Sequence, residues 1–165
     1  MKIRRATPED DIRIGDLLVE SFLYTYGRKM PEVVVTESRK SDLRAVAAKR
    51  ETAGVLVAER DGELIGTVSI FRPGDATSRA WTPNTVDLRY MAVAPRHQGQ
   101  GVSRALLDAA VALAREWQGS YICLHVRRGA TGVARTYTSY GFGRQPEGDA
   151  DLLPEIFLEA YLLKL

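Results

Sequence analysis

Apolar positions along this chain change their period several times, and each change marks an element. Residues 2–6 read as a short strand. Thr7, Pro8, Glu9 and Asp10 form a helix start, with threonine as N-cap, proline at the first helical position and acids in the first turn. Ile14, Leu17, Leu18 and Phe22 then recur at helical spacing. Residues 23–35, including Tyr24, Tyr26, Gly27 and Pro31, carry no period and predict irregular chain. A second helix is predicted over about 38–52, with Leu43, Val46 and Ala47 inward. Its Arg39, Lys40, Arg44, Lys49 and Arg50 read as a solvated face, with a basic patch as the alternative.

From there the period shortens to two. Runs over 55–60 and 63–71 are rich in β-branched residues and flank Asp61-Gly62, a strong hairpin signal. Residues 72–85 hold two prolines and a glycine without period, so they predict a long loop. Residues 86–93 are the next strand. A helix over about 101–117 puts Val102, Ala105, Leu106, Ala109, Ala110, Leu113 and Trp117 on one face, and Gly119 ends it. Residues 121–126 predict a strand, 131–140 a short helix stopped by Gly141, and 156–163 a final strand. A strand–helix–strand order across 86–126 demands a parallel pair, whereas the hairpin before it is antiparallel. The prediction is an α/β (α+β) chain: a mixed sheet with helices on its faces. Without repeats, low-complexity stretches or linkers, residues 1–165 are expected to form a single domain.

Composition narrows the function classes. The 23 basic and 21 acidic residues leave a net charge of +2, too balanced to argue for nucleic acid or a membrane surface. The apolar runs are too short to span a bilayer, and the N-terminus lacks an apolar signal region. One cysteine, Cys123, excludes an internal disulfide, and with only His97 and His125 beside it no metal site is expected. These features predict a cytoplasmic protein.

The chemistry concentrates after residue 93. A strand ends at Val93 and Pro95, the turn Gln98, Gly99, Gln100, Gly101 follows, and a helix starts near Val102. Such a turn aims free backbone N–H groups and the positive end of a helix dipole at one point, where a phosphate belongs. A dinucleotide fingerprint fails, because its last glycine position is Arg104. A Walker loop fails too, because Gly101, Val102 and Ser103 lack its lysine.

The turn with its flanks resembles the GNAT N-acetyltransferase superfamily. The family signature of Arg or Gln, two residues, Gly, one residue, then Gly or Ala reads here Gln98, Gly99, Gln100, Gly101, Val102, Ser103, with Pro95 before it and Leu106-Leu107 after it. Tyr137, Thr138, Ser139, Tyr140, Gly141 and Phe142 look like the family's Tyr-x-x-x-Gly-Phe, and the opening at residues 3–10 is typical of it. Two positions depart. Ser103 replaces a small Gly or Ala, and Ala130 stands where many members carry an Asn that helps hold the pantetheine arm.

The resemblance implies acetyl-CoA as cosubstrate. Backbone groups of Gln98, Gly99, Gln100, Gly101, Val102 and Ser103 would hold its pyrophosphate, and Arg104 either reaches the 3′-phosphate or is an ordinary surface arginine. The strand end at Met91, Ala92 and Val93 would splay from the strand at 121–126 and pair with the pantetheine amides. Tyr137 matches the general-acid tyrosine, against a simple packing role. Asp87 sits where many members carry a strand carboxylate acting as base, directly or through water; the alternative is a strand-edge turn residue or a surface ion pair. His125 is expected to be a hydrogen-bonded core histidine, with approach to the substrate as the alternative; Tyr90 and Tyr140 are expected to be packing aromatics, and Cys123 a buried filler. Arg96 meets either a phosphate or solvent. Tyr24, Tyr26, Arg28 and the loop holding Trp81 lie in segments that shape the acceptor site in the family.

The expected activity is acetyl transfer to a primary amine of a small molecule, protein or peptide, by direct attack in a ternary complex. The alternatives are a non-catalytic acyl-CoA sensor and a toxin-type aminoacyl-tRNA acetyltransferase. A homodimer is compatible with the resemblance.

Overall fold

The computed structural model describes all residues, 1–165. In chain order it contains β1 (Lys2–Arg5), a 3-10 turn (Pro8–Asp10), α1 (Asp11–Lys29), α2 (Glu37–Arg44), α3 (Val46–Thr52), β2 (Ala53–Arg60), β3 (Glu63–Phe71) and β4 (Thr85–Val93). A second 3-10 turn (Pro95–His97) leads to α4 (Val102–Glu116), β5 (Tyr121–Arg127), α5 (Thr131–Tyr140), β6 (Gly143–Arg144), a third 3-10 turn (Pro146–Gly148), β7 (Ala150–Leu152) and β8 (Ile156–Lys164). The strands hydrogen-bond in the order β1-β2-β3-β4-β5-β8-β6, with β7 pairing to β8 off this path. The β4–β5 pair is parallel, as the strand–helix–strand order demanded. No helix is long and apolar enough to cross a membrane.

The chain divides into two compact units, Met1–Ser69 with Tyr90–Ala110, and Ile70–Arg89 with Val111–Leu165. In the first, Ile14, Leu17 and Leu18 of α1 join Leu43, Val46, Val55, Val57, Leu64 and Ala92 in a buried cluster, with Phe22 and Tyr90 packed against it. Burying side chains of this size stabilises by about 1.5–3 kcal/mol each. In the second, β5 pairs with β8 along its whole length, from Tyr121 opposite Lys164 to Arg127 opposite Leu158. Val86, Leu88, Ile122, Leu124, Val126 and Ala160 are buried there.

Several boundaries differ from expectation for local reasons. The stretch 23–35 is not irregular throughout, because α1 continues to Lys29. Side chains four residues apart carry it past Gly27: the Arg28 guanidinium donates to the Tyr24 hydroxyl at 2.6 Å, and the Phe22 and Tyr26 rings lie 6.0 Å apart. The single helix expected at 38–52 is two, broken where Ala45 takes ψ 52°. Lys49 reaches back across the break and donates to the carbonyls of Asp42 and Ala45, so its ammonium is a cap and not part of a solvated face. Ala47, expected inward, is exposed. On α4, Leu107, Val111 and Ala114 are buried beyond the predicted stripe. Strands β6 and β7 are too short to show a period.

The basic residues of α2 and α3 do not gather into a patch. Arg39 pairs with Asp42, Lys40 with Glu37, Arg44 with Asp16 and Arg50 with Asp11, at 2.6–3.4 Å.

Asp10 takes a larger part at the first helix start than a simple threonine cap implies. Its carboxylate accepts two bonds from Arg4, at 2.6 and 3.0 Å, and one from the Thr7 N–H at 2.9 Å. These donors, the Arg4 guanidinium foremost, hold its pKa at about 2, against 3.8 ordinarily. A carboxylate more acidic folded than unfolded contributes stability that is full above pH 3.8 and drains away as pH falls through 2. We expect Asp10→Asn to cost about 2 kcal/mol near neutrality and to flatten the acid decline in urea unfolding followed against pH. An unchanged acid limb in the variant contradicts this assignment.

Candidate active site

The first unit contains the turn. Gly99 and Gly101 take φ of 74° and 80°, left-handed values that cost a side-chain-bearing residue free energy, and no atom would meet a Cβ at either position within 4 Å. The Gly101 carbonyl accepts the first helical bond, from the Ala105 N–H at 3.1 Å. The N–H groups of Gly101, Val102 and Ser103 therefore stand ahead of the first helical bond of α4. Val102, Leu106 and Leu107 are buried and anchor the first turns of the helix.

The turn is braced by side chains. Gln98 donates to the Val93 carbonyl at 3.3 Å; Gln100 accepts from Arg60 at 2.7 Å and donates to the Arg96 carbonyl at 3.1 Å. Arg96 is ion-paired with Glu63 on β3. The Ser21 hydroxyl also donates to the Val93 carbonyl, at 3.1 Å. That carbonyl is thus committed internally, in contrast to the free strand-end group expected there. Just before it, Tyr90 has φ 55° inside β4. A left-handed residue of this bulk marks a kink in the strand. Its hydroxyl lies 3.3 Å from both oxygens of Asp42, the Lys49 ammonium lies 4.5 Å from its ring centre, and the Arg39 guanidinium 5.6 Å.

The second unit contains Asp87, and the residue is not at the surface. It is 0% exposed, opposite Cys123 in the last of only three β4–β5 pairs. The Arg79 N–H donates to Oδ2 at 3.0 Å, Nε of Arg89 lies 3.2 Å from the same oxygen, and the Cys123 thiol donates to Oδ1 at 3.9 Å. Burial outweighs the Arg79 N–H and the Arg89 charge, so the carboxyl sits above its ordinary pKa. Burial first, and then the Asp87 charge, push the Cys123 thiol well up. The Arg89 guanidinium lies 3.9 Å from the Phe71 ring centre and donates to the Thr77 hydroxyl at 2.9 Å, fastening the 72–84 loop. Arg79 and Arg89 escaped the sequence reading. Arg89 was findable, because it lies two residues from Asp87 on one strand and so shares its face.

His125 shares the Cys123 face of β5. Its Nε2 lies 2.8 Å from the Gly148 carbonyl, and its ring meets Trp81 edge-on at 5.6 Å. Burial lowers its pKa from 6.5. The turn that supplies the Gly148 carbonyl is fixed by Arg144, which clamps Asp149 with two bonds of 2.6 Å, while Asp149 accepts from the Ala160 N–H at 2.9 Å.

Tyr137 is buried on α5 with its ring 5.7 Å from Phe142, edge to face. Burial alone drives its phenol well up, so it stays protonated through the physiological range. An open cavity of about 300 Å³ lies beside α5, lined by Arg127, Thr131, Arg135, Glu159 and Tyr161 among others. Neither Asp87 nor Tyr137 lines it.

A mostly antiparallel sheet with one short parallel pair, and a glycine turn opening a helix, define a mixed α/β fold. The chain belongs to the GNAT acetyltransferase family, whose sequence model, described as Acetyltransferase (GNAT) family, matches residues 12–142. It is similar to N-acetyltransferase 8 of Rattus norvegicus, 29% identical over 101 residues, covering 61% of this chain and 44% of that protein. It is also similar to mycothiol acetyltransferase of Cellulomonas flavigena, 33% identical over 108 residues, covering 63% of this chain and 31% of that protein. The chain thus matches less than half the length of either relative. Among solved structures, yncA from Salmonella typhimurium, solved with its cofactor acetyl-CoA, is 26% identical with a TM-score of 0.67 over 100% of this chain and 94% of that one.

The packing of Trp81 over Gly148 is directly testable. A Cβ at Gly148 would lie 2.3–2.5 Å from three Trp81 ring carbons. Gly148→Ala is expected to displace the ring, destabilise the fold by about 1–3 kcal/mol and change the tryptophan emission. The chain has only two tryptophans, so the Trp81 signal is separable with a Trp117→Phe background. Unchanged melting and emission contradict the contact.

Proposed function

We propose that the chain transfers the acetyl group of acetyl-CoA to a primary amine of a small molecule, peptide or protein, by direct attack in a ternary complex. The observation that carries this reading is the turn at 98–103. Its two left-handed glycines open space above the helix start, and its glutamines brace it with side chains, an arrangement that suits an anion at the helix start. The acetyl-CoA named with yncA supports the choice of anion.

In this reading the N–H groups of Gly101, Val102, Ser103 and Arg104 hold the pyrophosphate, and the Arg104 side chain takes the 3′-phosphate. Gln98, Gly99 and Gln100 shape the approach. Met91 and Ala92 pair with the pantetheine amides, while the Val93 carbonyl stays with Ser21 and Gln98. Acetyl-CoA supplies a thioester carbonyl for attack. Tyr137, protonated by burial, gives its phenol proton to the departing sulfur. Asp87 serves the opposite transfer, through an intermediary, because both its oxygens already have internal partners. The raised pKa of the Cys123 thiol supports direct attack over an acetyl-cysteine intermediate.

Thermal unfolding with acetyl-CoA, CoA and NAD tests the cofactor. Either CoA species at about 100 times its Kd is expected to stabilise by about 2.7 kcal/mol, and NAD not at all. Silence with both CoA species overturns the reading. A thiol-detecting assay with spermidine, glucosamine, puromycin and peptides with free N-termini then tests the acceptor class. With whichever of these turns over, Tyr137→Phe is expected to lower kcat by about 10²–10⁴-fold at unchanged KM for acetyl-CoA. An unchanged kcat at every pH removes Tyr137 from the acid role.

A further inference from the structure

We propose that His125 is the base that deprotonates the acceptor amine, through Nδ1, and that Asp87 acts behind it by stabilising the imidazolium. The inference rests on the acetyl-transfer reading above and assigns a proton acceptor to it.

The geometry starts from the tautomer. Nε2 of His125 lies 2.8 Å from the Gly148 carbonyl, an oxygen that only accepts, so Nε2 must carry the hydrogen. A neutral ring then has its lone pair on Nδ1, which makes no hydrogen bond in the structure. The ring cannot swing away easily. Trp81 meets it edge-on, and the Gly148 carbonyl is fixed by the Arg144–Asp149 clamp one residue on. The ring is half-buried, which leaves one side open to a partner.

The charged groups around it are Asp87 from β4, Arg79 from the 72–84 loop and Asp149 from beyond the third 3-10 turn. Asp87 and Asp149 favour the imidazolium; Arg79 and burial oppose it. Burial dominates, so the ring is neutral near pH 7, the state a base requires. Asp87 suits the direct role poorly, because Arg79, Arg89 and Cys123 already occupy its oxygens.

The step balances. Nδ1 takes one proton from the acceptor ammonium and later releases it to solvent. The freed nitrogen pair forms the C–N bond to the acetyl carbonyl carbon. The C–S bond breaks and Tyr137 protonates the sulfur; the proton then lost from the nitrogen returns to Tyr137. The sum is ammonium plus thioester giving amide, thiol and one proton.

The test has two arms. With only two histidines, NMR of the full chain labelled with ¹⁵N-histidine resolves His125 once His97→Gln has assigned the other. The expected state at pH 7.5 is Nε2–H with bare Nδ1 and an ionisation below 6.5, which Asp87→Asn moves lower still because it removes a negative neighbour. An Nδ1–H tautomer, or ionisation above 6.5, overturns the proposal. In the second arm, His125→Gln keeps a donor for the Gly148 carbonyl. With the amine from the panel above that turns over fastest, kcat at pH 7 is expected to fall about 10²–10⁴-fold. The acid limb of the kcat profile disappears, and the KM for acetyl-CoA and the CoA melting shift are unchanged. Hydroxylamine, already largely neutral at that pH, is acetylated by wild type and variant alike. A retained acid limb, or equal losses with both nucleophiles, overturns the assignment. Failure of wild type to respond to either CoA species is a different result, which overturns the acetyl-transfer reading instead.

Discussion

A carboxyl group with no exposed surface has to be given partners, and in the second unit much of the local structure is the means of doing so. Asp87 sits in the middle of a strand, where its backbone is paired and only its side chain can be served. Two arginines and a thiol serve it, and each does so at a cost to something else. Arg79 gives its backbone N–H, so the 72–84 loop must fold back over the strand. Arg89 brings a guanidinium that must itself be housed, on the Phe71 ring and the Thr77 hydroxyl. Cys123 gives a weak thiol bond, and its burial, with the Asp87 charge beside it, makes its own ionisation harder. An unpaired carboxylate in this position would cost several kcal/mol or would protonate.

The first unit holds a comparable constraint at Tyr90. A tyrosine at φ 55° costs about 1–3 kcal/mol of backbone strain unless its surroundings fix it. Lys49 and Arg39 face its ring, and its hydroxyl is near Asp42. The same Lys49 ammonium also donates to the carbonyls of Asp42 and Ala45, where α2 gives way to α3, and so ties the helix break to the strand kink. Three residues before the kink, the parallel pairing with β5 ends. Pairing and kink together make the end of β4 a strand whose ordinary hydrogen-bond partners run out.

These two features also mark where sequence reading succeeded and where it stopped. Period and turn chemistry located the hairpin at Asp61-Gly62, the start of α4, α5 from 131 to 140 and the parallel pair, because each depends on neighbours within a few residues. The glycine turn was legible for the same reason: two residues able to adopt positive φ stand beside a helix start. What stayed hidden depends on residues far apart in the chain. Nothing near Asp87 announces that Arg79 will donate to it, or that Asp149 and Arg144 will fix the carbonyl that meets His125. The break at Ala45 was invisible because the Lys49 that lies across it is held there by the ring of Tyr90, distant in the chain. Beta strands of two or three residues show no period at all, so β6 and β7 had to come from pairing with β8.

The division of labour at the turn follows from the same accounting of donors and acceptors. A turn that closed on its own backbone would consume the N–H groups that make it an anion site. Here the bracing bonds come from Gln98 and Gln100, whose side-chain amides reach the carbonyls of Val93 and Arg96. These bracing bonds use backbone carbonyls and not the amides of the helix start. This explains why glutamines, with a donor and an acceptor on one flexible arm, occupy both non-glycine positions of the turn. It also explains why Val93 cannot supply its carbonyl to a ligand: that oxygen is the anchor by which the turn is held to the strand. Met91 and Ala92 lie between that anchor and the kink at Tyr90.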